Sequence, residues 1–184
     1  MITEINKHNR LLTPLRFVVA ARAKETTRYA INQLFVEDDT AVATDGKRLH
    51  WFKHAWIKPV LESGFYNVVK CTKTILLLDK VENVGKFPKW QDIVPEHDKY
   101  FTTNTDRWNM LSTDLGGLGI GIHYGFLEPL GMFDCETLKV SFGEPDRPIK
   151  FSISKPEFGC NAVIMPVNYE KPVVKTEQQE VITK

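Results

Sequence analysis

Three groups of side chains in this sequence could do chemistry. His50 and His54 stand four residues apart, the spacing at which one helix face presents two metal ligands. Leu49, Trp51 and Phe52 around them favour a strand, where the same spacing leaves both rings on one face but far apart. No cysteine pair completes a ligand set, so both read as surface histidines and no metal is expected. Asp38, Asp39 and Asp45 could act as nuclease carboxylates, but Asp38-Asp39 and Asp45-Gly46 read better as turn signals. Gly116, Gly117, Gly119, Gly121 and Gly125 suggest a phosphate loop. They match neither the G-x-x-x-x-G-K-[ST] pattern nor a full G-x-G-x-x-G, so a flexible or tightly turning strand is expected there. No Ser/His/Asp or Cys/His set carries a local signature. The chain therefore reads as a protein that is not an enzyme and takes no cofactor.

Basic residues are the remaining chemical resource. Arg10, Arg16, Arg22 and Lys24 gather around one predicted helix, and Lys70, Lys73 and Lys80 around another. Contact with a phosphate backbone needs such charge and no sequence reading. A solvated helix face is the plainer alternative. On the first view Arg10, Arg16, Arg22, Lys24 and Lys73 are the candidate DNA contacts.

These residues need elements to hold them. Thr13-Pro14 predicts a helix start, with Thr13 as the cap and Pro14 in the first helical position. Leu15, Val18 and Val19 then define a buried stripe, and the helix is expected to end near 24–26. Strands are expected around Tyr29–Val36, Thr40–Ala43, Leu49–Trp56 and Phe65–Val69, with hairpin turns at Asp38-Asp39 and Thr44-Asp45-Gly46. Thr72 and the apolar block Ile75–Leu78 predict a second helix running to Val81 and ended by Gly85. Two prolines between Phe87 and Pro95 predict an extended connector whose apolar side chains lie on a surface. Gly125–Asp134 is expected to hold a short third helix broken by Pro129 and Gly131. Leu138–Phe142 pairs with Pro148–Ile153, and Asn161–Val167 is a final strand. The class is α+β, with antiparallel sheets and two or three helices on one face.

Composition sets bounds on function. The 184 residues suit one domain or one and a part, and 42% hydrophobic with 26% charged residues is globular. With 24 basic and 23 acidic residues the net charge is +1, so any DNA contact must rest on a local patch. No apolar run approaches a membrane span, and the polar start shows no signal-peptide core. Three dispersed cysteines, Cys71, Cys135 and Cys160, favour a reducing compartment, and the cytoplasm is the expected location.

Between residues 27 and 49 the sequence resembles a known family. Thr27-Arg28-Tyr29-Ala30-Ile31-Asn32-Gln33-Leu34-Phe35 followed by Ala43-Thr44-Asp45-Gly46-Lys47-Arg48-Leu49 is similar to R-Y-x-L-N-G-x-L-F and A-T-D-G-H-R-L of the bacterial sliding clamp, the β subunit of DNA polymerase III. Phe87-Pro88-Lys89-Trp90 through Pro95 resembles its F-P-D-Y-x-x-x-x-P connector between middle and last domains. Ala162–Val167 resembles its final Y-V-V-M-P-M. Those clamps have three similar domains per chain, and two chains close a ring around duplex DNA with helices lining the hole. Here the resemblance covers roughly 10–50, 66–97 and 126–168, and residues 101–122 match no part of the pattern. It implies one composite clamp-like domain over 1–168. Within it, 8–97 resembles the middle domain and connector, and 126–168 the end of the last domain. Residues 169–184 are expected to form a flexible tail.

The resemblance also implies a site. In the family, short linear motifs of partner proteins enter a pocket between the middle and last domains. The matching positions here are Ile31, Thr44, Gly46, Lys47, Arg48 and Leu49, then Pro88 and Ile93, then Val163, Met165, Pro166 and Val167. Lys47 stands where the family has His, and Asn168 where it has a basic residue, so motif preference is expected to differ. The alternative is that these residues serve only core and turns. The implied function is a replication or repair accessory protein, a processivity factor of phage or mobile-element type. It binds polymerase or clamp-loader-type partners and contacts duplex DNA without sequence preference, with ring closure by self-association. The rival is a decoy or regulator that binds the host machinery without encircling DNA.

Overall fold

The structure is a computed structural model describing residues 2–25, 31–82, 85–134, 136–155 and 158–167. The expected strand residue Tyr29 and the expected tail lie outside the described residues. Among the described residues, ten strands form one sheet: β1 (Ile2–Asn6), β2 (Leu34–Glu37), β3 (Thr40–Thr44), β4 (Arg48–Lys53), β5 (Gly64–Cys71), β6 (Ile75–Val81), β7 (Lys99–Asn104), β8 (Thr137–Phe142), β9 (Ile149–Ser154) and β10 (Gly159–Ile164). Their order is β1-β6-β5-β2-β3-β4-β10-β9-β8-β7, and every pairing is antiparallel. The seam between the chain's two halves is the β4–β10 pair, with Leu49 opposite Val163. The helices α1 (Leu12–Val19), α2 (Leu111–Gly117) and α3 (Tyr124–Leu127) share one core with the sheet.

The period of two along the seam strands sorts side chains between two faces. Ala41 and Ala43 of β3, Phe52 of β4, and Cys160, Ala162 and Ile164 of β10 enter the main core under the helices. Val42, Leu49, Trp51 and Val163 alternate with them and form a second cluster on the other face. The connector covers that cluster. Phe87 stacks on Phe35 at 4.9 Å between ring centroids, and Trp90 lies over Trp51 at 5.6 Å. Trp90–Ile93 makes one 3-10 turn.

The structure corrects several expectations. α1 starts at Leu12, not at a Thr13 cap, because the Asn9 side chain accepts from Leu11 N at 3.0 Å and the Asn9 carbonyl from Leu12 N. It ends at Val19, five residues before the expected limit. The second helix is strand β6. Leu76 and Leu78 are fully buried while Ile75 and Leu77 are not, the period of a strand. Thr72 is a cap of another kind: its Oγ1 accepts from Ile75 N at 3.1 Å and closes the β5–β6 hairpin turn. Gly116 and Gly117 end helix α2 rather than forming a strand. Lys99–Asn104 is strand β7, and a 3-10 turn follows over Thr105–Met110. The third helix is present as α3 followed by a 3-10 turn at Glu128–Met132.

Candidate peptide groove and basic cleft

The groove is built around the β3–β4 turn. Thr44 Oγ1 donates to Arg48 O at 2.6 Å and accepts from Gly46 N at 3.1 Å. Asp45 Oδ1 accepts from Lys47 N at 2.9 Å and Arg48 N at 3.0 Å. Gly46 sits at φ +85°, a conformation open to glycine and costly for a side chain. The turn thus satisfies its own polar groups and holds a fixed shape. Past β10 the chain stays bound to it, since Met165 N donates to Lys47 O at 2.9 Å. Val167 N then donates to Gly121 O at 2.9 Å.

A cavity of about 380 Å³ opens at this junction. Leu49, Val163, Met165, Ile93 and Pro148 line it with apolar surface, and Thr44, Gly46, Lys47, Arg48 and Asp92 add polar groups. Ile93 is 51% exposed and Met165 42%, so the apolar wall faces solvent. A cavity of this size with few polar groups suits short side chains of a bound segment. Met165 is unbranched and polarizable, and adapts to what it meets.

Arg48 forms a wall between this groove and a second depression. Its Nε donates to Asp45 Oδ2 at 3.0 Å, and its guanidinium lies 4.8 Å from the Phe126 ring centre. On the far side is a cleft of about 560 Å³. Arg16 and Lys24 reach it from α1 and the turn after it, Lys73 from the tip of the β5–β6 hairpin, and Trp108 and Glu128 from the 3-10 turns. Arg16 Nε is buried there without a hydrogen-bond partner. Arg16, Lys24, Arg48 and Lys73, set against the one carboxylate of Glu128, favour an anion in this cleft.

His50 separates the two faces at the level of the backbone. It is not the surface histidine expected: it is 1% exposed and stacks on Phe17 of α1 at 4.3 Å. Its Nδ1–H donates to Phe17 O at 2.7 Å, which leaves Nε2 buried and unpaired. Burial holds its pKa down to about 3, so the ring is neutral. His54 lies outward against Trp56, where Nδ1 accepts from Trp56 N at 3.1 Å.

Solved proteins share this architecture. The Caulobacter crescentus β sliding clamp superposes with a TM-score of 0.64 at 16% identity, over 91% of this chain and 66% of its own. The Pseudomonas aeruginosa clamp (DnaN, DNA polymerase III subunit beta), solved with griselimycin, gives 0.59 at 16% identity over 92% and 66%. The Helicobacter pylori clamp, solved with a DNA ligase peptide, gives 0.57 at 16% identity over 91% and 66%. The fold is that of the bacterial sliding clamp. No protein-family model matches the chain, and the comparison with curated proteins finds no match. The chain spans just under two thirds, 66%, of each of these three clamps.

Within the clamp fold the expected groove residues divide. Thr44, Gly46, Lys47, Arg48, Leu49, Ile93, Val163 and Met165 line one cavity. Ile31, Pro88, Pro166 and Val167 do not line it. Ile31 is buried, and its carbonyl accepts from Ala23 N. Val167 faces a different cavity of about 810 Å³, beside Gly121 and Asp146. Asp92 and Pro148 line the groove and were missed. Asp92 neighbours Ile93 in the connector motif, a signal that could have been read, whereas Pro148 arrives from the β8–β9 turn through the sheet. Of the expected DNA contacts, Arg16, Lys24 and Lys73 share the cleft. Arg10 lies elsewhere, 5.2 Å from the Trp56 ring centre, and Arg22 Nη1 donates back to Val19 O at 3.1 Å.

Proposed function

We propose that this chain is a non-enzymatic, clamp-like accessory protein of DNA replication or repair. It holds short linear motifs of polymerase or clamp-loader-type partners in the groove beside Met165. The observation that carries the reading is the convergence of Thr44–Leu49, Ile93, Val163 and Met165, distant in sequence, on one partly exposed apolar cavity. The DNA ligase peptide bound by the Helicobacter pylori clamp supports the same use of the fold. Residues 1–168 act as one composite unit, in the cytoplasm. Arg16, Lys24 and Lys73 make weak, sequence-blind contact with duplex DNA. Strands β1 and β7 stand at the two ends of the sheet, and closing a ring around duplex requires copies to join there.

The test is a titration with a labelled peptide carrying a Gln followed by a Leu-Phe pair. Micromolar affinity is expected, about 8 kcal/mol. Met165→Asp and, independently, Ile93→Asp should abolish it, because an unpaired charge on an apolar wall is costly. Both residues are exposed enough for the variants to keep their circular dichroism. Equal binding by both variants and wild type would end the reading. The second reading, a decoy or regulator, follows if the peptide binds and the protein is a monomer in solution.

A further inference from the structure

We infer that the basic cleft beside Arg16 receives single-stranded DNA, with phosphates on its cations and a base against Trp108. The inference rests on the DNA contact proposed above and names the form of DNA that the cleft takes. Most of the charge there is unspent. Arg48 is committed to Asp45, but Arg16, Lys24 and Lys73 form no ion pair among the described residues. Arg16 Nε is buried with no hydrogen-bond partner. Glu128, an exposed residue, is the one carboxylate among the lining side chains.

An indole distinguishes this cleft from a bare cationic surface. Trp108 is half-buried and lines the cleft together with Gly131. A Cβ at Gly131 would collide with Trp108 Nε1, so the glycine lets the ring lie against the backbone of the 3-10 turn. Tyr124, 50% exposed, extends the aromatic surface, its ring centre 5.2 Å from that of Trp108. Cations beside aromatic rings suit a single strand, whose backbone follows the charge while its unpaired bases stack on the rings. Every base has a π-face, so such binding is tolerant of sequence. A duplex keeps its bases paired and stacked inside, and presents only its convex backbone. It can therefore meet Lys24 and Lys73 but leaves the indole without a partner. The depression of about 560 Å³ has room for an unstacked base and its phosphate.

The probes are a labelled oligothymidine, an abasic strand of equal length and a duplex of equal length, each titrated by anisotropy into the full chain at low salt. The oligothymidine should bind about tenfold more tightly than the abasic strand, the effect of one stacked base. It should also bind more tightly than the duplex. Its affinity should fall with salt at a log–log slope of about 2, about 0.7 for each phosphate met by Arg16, Lys24 and Lys73. Trp108→Ala should erase the difference between thymidine and abasic strands, and Trp108→Phe, which keeps a ring, should retain most of it. The wild-type comparison of the two strands decides the matter even if Trp108→Ala does not fold. Equal binding of those strands by wild type overturns the inference. A preference for duplex also overturns it, while leaving the DNA contact of the proposed function standing. Binding of no probe at low salt overturns both. A thymidine preference that survives in folded Trp108→Ala puts the base elsewhere and overturns the assignment to this cleft.

Discussion

The two faces of strand β4 are built on different principles. On one, His50 and Phe52 lie under α1, fully buried. On the other, Leu49 and Trp51 carry only the connector and an open groove. The buried face is held by apolar area, and is intolerant of change. The open face is held by a turn that satisfies its own hydrogen bonds, and the groove beside it keeps apolar residues such as Ile93 and Met165 at the surface. One strand therefore serves a closed core and an open groove at alternate positions, and the two can be perturbed separately.

Acid gives the sharpest break. Neutral His50 has a folded pKa near 3 against an ordinary 6.5. Below pH 6.5 the unfolded chain takes up a proton that the folded chain refuses, so this stability is present above pH 6.5 and is lost as pH falls towards 3. The slope is about 1.4 kcal/mol per pH unit, about 5 kcal/mol over the whole window. His50→Gln can still donate to Phe17 O. Urea unfolding of both proteins at pH 7, 5.5 and 4.5 should show wild type losing its advantage by that slope. A constant difference would mean that the ring titrates normally.

Truncation on each face comes next. Phe52→Ala, in the closed core, should cost about 3–5 kcal/mol in denaturant unfolding. Trp90→Ala, on the connector, should cost about 1–2 kcal/mol, since it loses one ring contact and part of its burial. It should also weaken peptide binding, because Ile93 follows on the same turn. Reversed magnitudes would mean that the connector, not the helix layer, carries the fold. The smallest effect is expected in the basic cleft. Lys24→Ala and Lys73→Ala should leave stability within about 0.5 kcal/mol of wild type. Each should reduce the salt slope of duplex binding, read by anisotropy, by about 0.9.

The same contrast explains what could be read in advance. Local patterns found the β2–β3 and β3–β4 turns, the pair β8–β9 and the buried stripe of α1, because turn chemistry and short periodicity act within a few residues. Eight of the residues implied by the clamp-like segments line one cavity, which the resemblance suggested and local periodicity did not. The run Ile75–Leu78 carries no such information. Four consecutive apolar residues satisfy a helix and a strand equally, and pairing of β6 with β1 and β5 decides between them. Thr72 misled in the same way, since one hydroxyl can cap a helix or close a hairpin.

Local sequence settles which residues alternate along β3, β4 and β10, where the chain turns, and which segments are apolar enough to need cover. Tertiary structure alone decided what those segments meet. It set Leu49 opposite Val163, brought Pro148 and Asp92 to the groove, and gathered Arg16, Lys24 and Lys73 while leaving Arg10 and Arg22 apart. It also buried His50, whose strand position is local but whose cover, Phe17, comes from a helix more than thirty residues away. The physical reason is range. Backbone preference and periodicity are properties of neighbours along the chain, whereas cavities, burial and charge convergence exist only where distant elements pack.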